Sequence, residues 1–381
     1  MDASSKMVVM ISNGPGELST WVKPLAEKLH SKLIMKPRHK DAEISLRLVL
    51  VPCPNSTGQE KQAAESWQQF DKITSSKNFW HLLIHPKKYG LWPSKGLVIF
   101  LGGDQFWSVL LSARLGYLNM SYCEWVARWP YWNDRIAAMT NSVKMQIPKR
   151  VRKRCIVVGD LMGDINENSE QTNPLPKAQW VALLPGSKKA KLIIGIPFFL
   201  ELADRLSILL PNCKFLLPVA PTTSLEEFIA VSSSSNPLSK EYSSKIKRIE
   251  DPDNEINLRK LITNNGTKIY LKEDYPAHEY LRQCDLALTT VGANTAELAA
   301  LTVPMIVILP TQHISVMQAW DGLIGVIARL PLFKFFLGIA ISLWRLRKQK
   351  FVAWPNISAS KMIVPERIGN ILPKEIANES Y

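Results

Sequence analysis

Cysteine is sparse in this 381-residue sequence: Cys53, Cys123, Cys155, Cys213 and Cys284 are scattered, odd in number, and form no CxxC or zinc spacing. Neither a disulfide framework nor a structural metal follows, and the expected environment is a reducing cytosol. The six histidines form no triad and no metal-ligand spacing, so His81, His85, His278 and His313 are expected to be structural or exposed. No G-x-G-x-x-G follows the first apolar run, and no acidic residue closes the second, which excludes a dinucleotide site. No nucleic-acid recognition motif accompanies the basic charge, so no nucleic-acid partner is expected. No signal peptide is expected either, because the run Met7 to Ile11 is too short for an h-region and passes into a glycine turn.

What is present fits a folded chain of two domains, with 46% hydrophobic and 21% charged residues. Lys and Arg number 47 against 33 acids, a formal charge of +14. Part of that surplus is clustered, in Lys149-Arg150-Val151-Arg152-Lys153-Arg154 and at Arg345, Arg347, Lys348 and Lys350. Such clusters suit a surface that meets phosphates. Twelve tryptophans suggest interfaces with a membrane or a ligand.

Val8-Val9-Met10-Ile11 reads as a buried strand, followed by the turn Ser12 to Gly16 and a helix over Thr20 to His30. Leu46 to Val51, Gly96 to Leu101 and Cys155 to Val158 read as further strands. A polar, proline-bearing stretch over 163–178 reads as a linker. A second series then runs through Val181 to Leu184, Lys214 to Pro218, Lys268 to Leu271, Leu286 to Thr290 and Met305 to Leu309. Val231 to Asn254, rich in serine and charge, reads as an exposed, mobile insertion. Continuous apolar strands spaced by helices predict an α/β chain of two Rossmann-like domains with a ligand cleft between them. The expected divisions are one Rossmann-like domain over 1–165, a second over 178–320 and a closing, membrane-associating helical segment over 321–381.

Leu323 to Trp344 is long enough to span a bilayer of ~30 Å. Arg329 and Lys334 oppose that, since a charge near the bilayer centre costs roughly 2.5–3.5 kcal/mol, and Pro331 breaks the helix. A patch lying in the membrane interface, flanked by Trp320, Trp344 and basic residues, accounts for the segment better. A buried core or dimer helix is the competing account, so a homodimer stays open.

Four motifs fall at strand ends. Gly14, Gly16 and Glu17 close the first strand, where glycine lets the backbone approach a ligand, although plain turn chemistry explains them equally well. In Gly102-Gly103-Asp104-Gln105, Asp104 is placed for a general base, while a helix N-cap accounts for it better from spacing alone. Pro185-Gly186-Ser187-Lys188-Lys189 supplies amides, a hydroxyl and cations suited to a diphosphate leaving group. In Thr289 to Glu297, Gly292 permits close approach and Glu297 can accept both hydroxyls of a ribose; a favourable acid near a helix N-terminus is the alternative.

The second half resembles the lipid-A-disaccharide synthases, glycosyltransferases of the two-Rossmann (GT-B) type. Ala182-Leu183-Leu184-Pro185-Gly186-Ser187-Lys188 is similar to that family's LLPGSR block. Cys284 to Leu288 with Gly292, Thr295, Glu297 and Pro304-Met305, then Trp354-Pro355-Asn356-Ile357 with Val364-Pro365-Glu366, follow its later blocks, and Val158 to Asp164 follows its VGHPLAD stretch. The resemblance implies a cytoplasmic enzyme, peripheral at the inner membrane face, moving an acylated glucosamine from a UDP-sugar to a glycolipid acceptor with inversion, without metal or cofactor. It places Lys188, Glu297, Asn356 and Glu366 on the nucleotide side and Asp104 in the catalytic region. The family's GExSGD block survives only as Gly14 to Ser19, without its aspartate, and Lys188 stands where the family has arginine. An NDP-sugar epimerase and a non-catalytic relative that binds nucleotide sugar or glycolipid are the alternatives.

Overall fold

The computed structural model describes residues 5–35, 44–53, 58–162, 174–187, 189–220, 223–233, 236–253, 256–273, 277–313 and 351–380. Lys188 and the segment Leu323 to Trp344 lie outside these residues. The chain divides into two compact units, one running up to Gly163 and the other beginning at Asp164.

The amino-terminal unit is a seven-stranded sheet of order β3-β2-β1-β4-β5-β6-β7. Its strands are β1 (Lys6–Ser12), β2 (Ile44–Leu50), β3 (Lys72–Thr74), β4 (Lys95–Phe100), β5 (Leu118–Cys123), β6 (Arg135–Ala138) and β7 (Cys155–Val157), and every pairing is parallel. The chain starts in the middle, winds outward to β3 and then returns to β4, so the strand order reverses between β1 and β4. Alternate residues of β1, Met7, Val9 and Ile11, pack with Val98, Phe100, Phe79 and Trp107 in one core. The helix expected after the first turn opens instead with a π-helical turn, Leu18–Val22, and becomes α-helical over Lys23–Leu29. Such wide turns recur where backbone is shaped around a ligand.

The carboxyl-terminal unit has β8 (Gln179–Leu184), β9 (Cys213–Pro218), β10 (Ile246–Glu250), β11 (Arg259–Thr263), β12 (Lys268–Lys272), β13 (Leu286–Thr290), β14 (Met305–Pro310) and β15 (Glu366–Gly369), in the order β10-β11-β12-β9-β8-β13-β14-β15. The reversal here falls between β8 and β13. Along β8, Val181 and Leu183 enter one hydrophobic cluster while Trp180, Ala182 and Leu184 enter another. Both faces of the strand are therefore covered, which is why it reads as an unbroken apolar run.

Two features depart from the sequence-based expectation. The sheet is not wholly parallel, because β10 and β11 add an antiparallel edge. The insertion expected over Val231 to Asn254 is a packed part of the unit, with Asn236, Ser239, Tyr242 and Ser244 all buried. Its polar residues serve the fold. Pro197 interrupts the helix Lys189–Leu209 and, lacking an N–H, frees the carbonyl of Ile193. Asn236 Nδ2 donates to that carbonyl at 2.8 Å and to the Val231 carbonyl at 2.7 Å. Serine and asparagine here meet backbone groups that solvent would otherwise have to reach.

Candidate active site

Each sheet's reversal point brings two glycine turns together, and in doubly wound sheets that crevice is where ligands bind. In the carboxyl-terminal unit the turns follow β8 and β13. Gly186 has φ +102° and Gly292 φ +152°, and both close on one side chain, Lys191. A Cβ at Gly186 would stand 2.8 Å from Lys191 Cδ, and one at Gly292 would stand 2.8 Å from Lys191 Nζ. Lys191 rises from the first turn of the helix Lys189–Leu209 and donates its Nζ proton to the Val291 carbonyl. Ser187 is half-buried on the same turn. Thr290 Oγ1, 3.3 Å from the Cβ position of Gly186, is buried without a hydrogen-bond partner. A cation, a hydroxyl and two glycine turns at one spot form a cradle suited to a diphosphate. Lys191 and Thr290 were missed from sequence. The signal was there: Lys191 follows a glycine turn at the start of a helix, but it is the third of three closely spaced lysines, after Lys188 and Lys189.

Glu297, in the helix Ala293–Ala300, is buried and sets its Oε1 2.9 Å from His278 Nε2. The sequence points to a structural or exposed His278, whereas the short helix His278–Leu281 sets it against this carboxylate, 19 positions away in the chain. The remaining residues assigned to the nucleotide side are brought together in another way. Thr295 Oγ1 donates to the Gly292 carbonyl at 2.9 Å and accepts from Trp354 N–H at 3.0 Å. Asn356, wholly buried, donates to the Val364 carbonyl and to Glu366 Oε1 at 2.8 Å each, and its Oδ1 accepts from Ile363 and Val364 N–H. Glu366 also accepts from the N–H groups of Val352 and Ala353. Thr295, Asn356 and Glu366 thus spend these polar atoms on a clasp that fixes the Gly292 turn against the helix Trp354–Ala359.

In the amino-terminal unit the turns follow β1 and β4. Glu17 lies back over both glycine segments: a Cβ at Gly14 would meet its Oε2, and one at Gly102 would stand 2.9 Å from both its Cβ and Ser12 Oγ. Gly16 leaves open space and offers its carbonyl to Thr20 Oγ1 at 2.9 Å. Ser12 Oγ, Asn13 Oδ1, Glu17 Oε2 and Trp21 Nε1 are buried and find no hydrogen-bond partner in the fold. Buried polar atoms are nearly always satisfied, so a group of four at a reversal point is available to a polar ligand. Asp104 follows β4. Its Oδ1 accepts from Phe106 N–H at 2.9 Å, as a residue capping the helix Phe106–Leu115 would, and its Oδ2 lies 3.6 Å from Arg128 Nη1.

Two more carboxylates flank this site. Glu124 follows β5 and Asp160 follows β7. Burial first, then the negative charges of Asp160 and Glu17, push the Glu124 carboxyl up to about 7, against a weaker opposing hydrogen bond from Trp125. Burial also raises Asp160, partly offset by the Met162 N–H. Among the described residues no cluster of three or more His, Cys, Asp or Glu side chains is placed to hold a metal ion.

Comparison with known proteins adds the following. No protein-family model matches the chain. Over 192 residues, half of its length, it is 24% identical to the lipid-A-disaccharide synthase of Pseudomonas fluorescens and 26% identical to that of Aeromonas hydrophila. The chain is similar to lipid-A-disaccharide synthases. The matched region covers 37% and 36% of those synthases' own lengths. Among solved structures, UDP-GlcNAc 2-epimerase from Neisseria meningitidis bound to UDP-GlcNAc aligns over 98% of this chain and 97% of its own, with TM-score 0.50 and 13% identity. The S. aureus MnaA–UDP co-structure aligns over 80% and 79%, with TM-score 0.50 and 11% identity. These likenesses establish two Rossmann-like domains, and the family resemblance first carried by the strand-end motifs stands as that of a divergent relative of the synthases.

Proposed function

We propose that the chain is an inverting glycosyltransferase that moves a sugar, an acylated glucosamine in the synthase-like case, from a UDP donor to a glycolipid acceptor at the cytoplasmic face of a membrane. The observation that carries this reading is the convergence of Gly186 and Gly292 on Lys191, with Glu297, paired to His278, on the helix that follows Gly292. Lys191 and the turn amides would neutralise charge growing on the departing diphosphate, with Ser187 and Thr290 beside them; Lys188, outside the described residues, has the same role by resemblance to the synthases. Glu297, oriented by His278, would accept the ribose hydroxyls, and the clasp of Thr295, Asn356 and Glu366 would hold the turn in place. Asp104 would take the proton from the acceptor hydroxyl, with Glu17 and the open polar atoms of Ser12 and Asn13 binding the acceptor sugar. The synthase similarity supports glycosyl transfer, and the bound nucleotides named for the two neighbours favour UDP as the carrier.

The test is UDP release from a panel of UDP-sugars, with and without an acylated glucosamine 1-phosphate. Acceptor-dependent release is expected, reduced roughly 10- to 100-fold in Lys191→Ala and Glu297→Ala by loss of charge-assisted hydrogen bonds. Formation of an epimeric UDP-sugar without acceptor would favour the epimerase reading instead. Tight UDP-sugar binding with no release under any acceptor would leave a binding protein.

A further inference from the structure

A second surface of the amino-terminal unit has chemistry that the transfer reaction does not use. The helix Phe79–Ile84 places Trp80 and Ile84 on one face, four residues apart, with 51% and 64% of their surfaces exposed. Trp80 meets Trp107 edge-on at 5.3 Å, Trp107 meets Phe106 at 5.8 Å, Phe106 meets Trp129 at 5.5 Å, and Trp129 stacks on Trp132 at 5.1 Å and 12°. The rings therefore form one continuous ladder across two helices and the loop after β5. Trp132, 57% exposed, also borders an open groove of about 460 Å³ floored by Val109, Leu110 and Ala113. Trp129 is held at φ +55°, a conformation bulky residues rarely adopt, so the loop is bent at some expense to present its rings outward.

Cations surround this apolar face. Lys87 and Lys88 follow the first helix and are exposed, as are Arg114 and Arg135. Arg114 donates to the carbonyls of Leu83 and Ile84 and so lies against that helix. Arg154, from the basic run before β7, donates to the carbonyls of Tyr131 and Asn133 within the tryptophan loop. Asp134, which lines the groove, has its carboxylate turned to Asn119 N–H. Half-exposed tryptophans at the centre with lysine and arginine at the edge match the layered chemistry of an anionic bilayer, acyl chains below and phosphates above.

We propose that this face of the amino-terminal unit docks on an anionic lipid bilayer, with Trp80, Trp129 and Trp132 at headgroup depth and Lys87, Lys88, Arg135 and Arg154 against lipid phosphates. It rests on the reading of an enzyme that works at a membrane and names the surface that would meet it, separately from the apolar segment Leu323 to Trp344.

The experiment uses the full chain and vesicles of phosphatidylglycerol and phosphatidylethanolamine with brominated acyl chains. Wild-type tryptophan fluorescence is expected to be quenched on binding, and Trp80→Phe with Trp132→Phe to lose a large share of that quenching. Lys87→Glu with Lys88→Glu should weaken binding to these vesicles roughly tenfold or more, since each basic side chain near the surface contributes about 1 kcal/mol. Quenching undiminished in the double phenylalanine variant overturns the proposal, because it places the rings away from lipid whatever else holds the protein there. A wild-type dimer in solution that Trp132→Glu dissociates overturns it too, assigning the face to a second copy. Neither measurement depends on turnover, so failure here leaves the glycosyl-transfer reading to its own test.

Discussion

Replacing Glu124 by glutamine should make the protein more stable, increasingly so as pH rises from 4.5 to about 7. In the fold the Glu124 carboxyl is raised from 4.5 to about 7, chiefly by burial and then by Asp160 and Glu17. Moving a carboxyl that far penalises its ionised form by about 3 kcal/mol, from 1.36 kcal/mol per pH unit. Between the two values the folded chain holds a proton that the unfolded chain has released, so stability falls as pH rises through this window. Glutamine keeps the shape and carries no charge. The variant should match wild type near pH ~4.5 and exceed it by up to about 3 kcal/mol at pH ~8.5, with the gap opening across the interval. Denaturant unfolding of both proteins at several pH values measures this. Asp160, raised by the same burial, remains in both and largely cancels in the difference. A gap that stays constant with pH would refute the reasoning, since it would mean that Glu124 ionises in the fold as it does in water.

Asp104→Asn should lower the rate of glycosyl transfer by roughly 10²–10⁴ while UDP affinity in equilibrium titration stays within about twofold. Gly186→Ala, strained at φ +102° and pressing on Lys191, should weaken UDP binding by calorimetry more than it lowers the thermal transition. Asn356→Leu strands the N–H groups of Ile363 and Val364 and one partner of Glu366, and should destabilise the carboxyl-terminal unit by about 3 kcal/mol in denaturant unfolding.

Strands buried on both faces were readable because β1, β4, β8 and β14 are built on continuous apolar runs that end near glycine or proline turns. The edge strands β10 and β11 were not, since Ile246–Glu250 (IKRIE) is charged and half-exposed and its pairing comes from neighbours distant in sequence. At the site, glycine marks both turns because Gly186 at φ +102° and Gly292 at φ +152° lie in a region that other residues rarely adopt, close against a side chain. Side-chain roles were less legible. Asn356 and Glu366 stand in a recognisable motif, yet most of their hydrogen bonds go to backbone, a division of labour that spacing does not display. Lys191 and His278 act through a fold that juxtaposes residues about 100 and 19 positions from their partners Val291 and Glu297.

The clasp has a further consequence for how this chain can change. The described backbone leaves at His313 and resumes at Phe351, and both sides are moored to the same short stretch: Gln312 exchanges hydrogen bonds with Ile371, while Val352 donates to Glu366. The stretch from Glu366 to Ile371 therefore couples the residues that follow β14 to the approach of the helix Trp354–Ala359, and a substitution in it is felt on both sides at once. It can change less freely than a short edge strand usually does, because the Gly292 turn depends, through Thr295 and Trp354, on the same moorings.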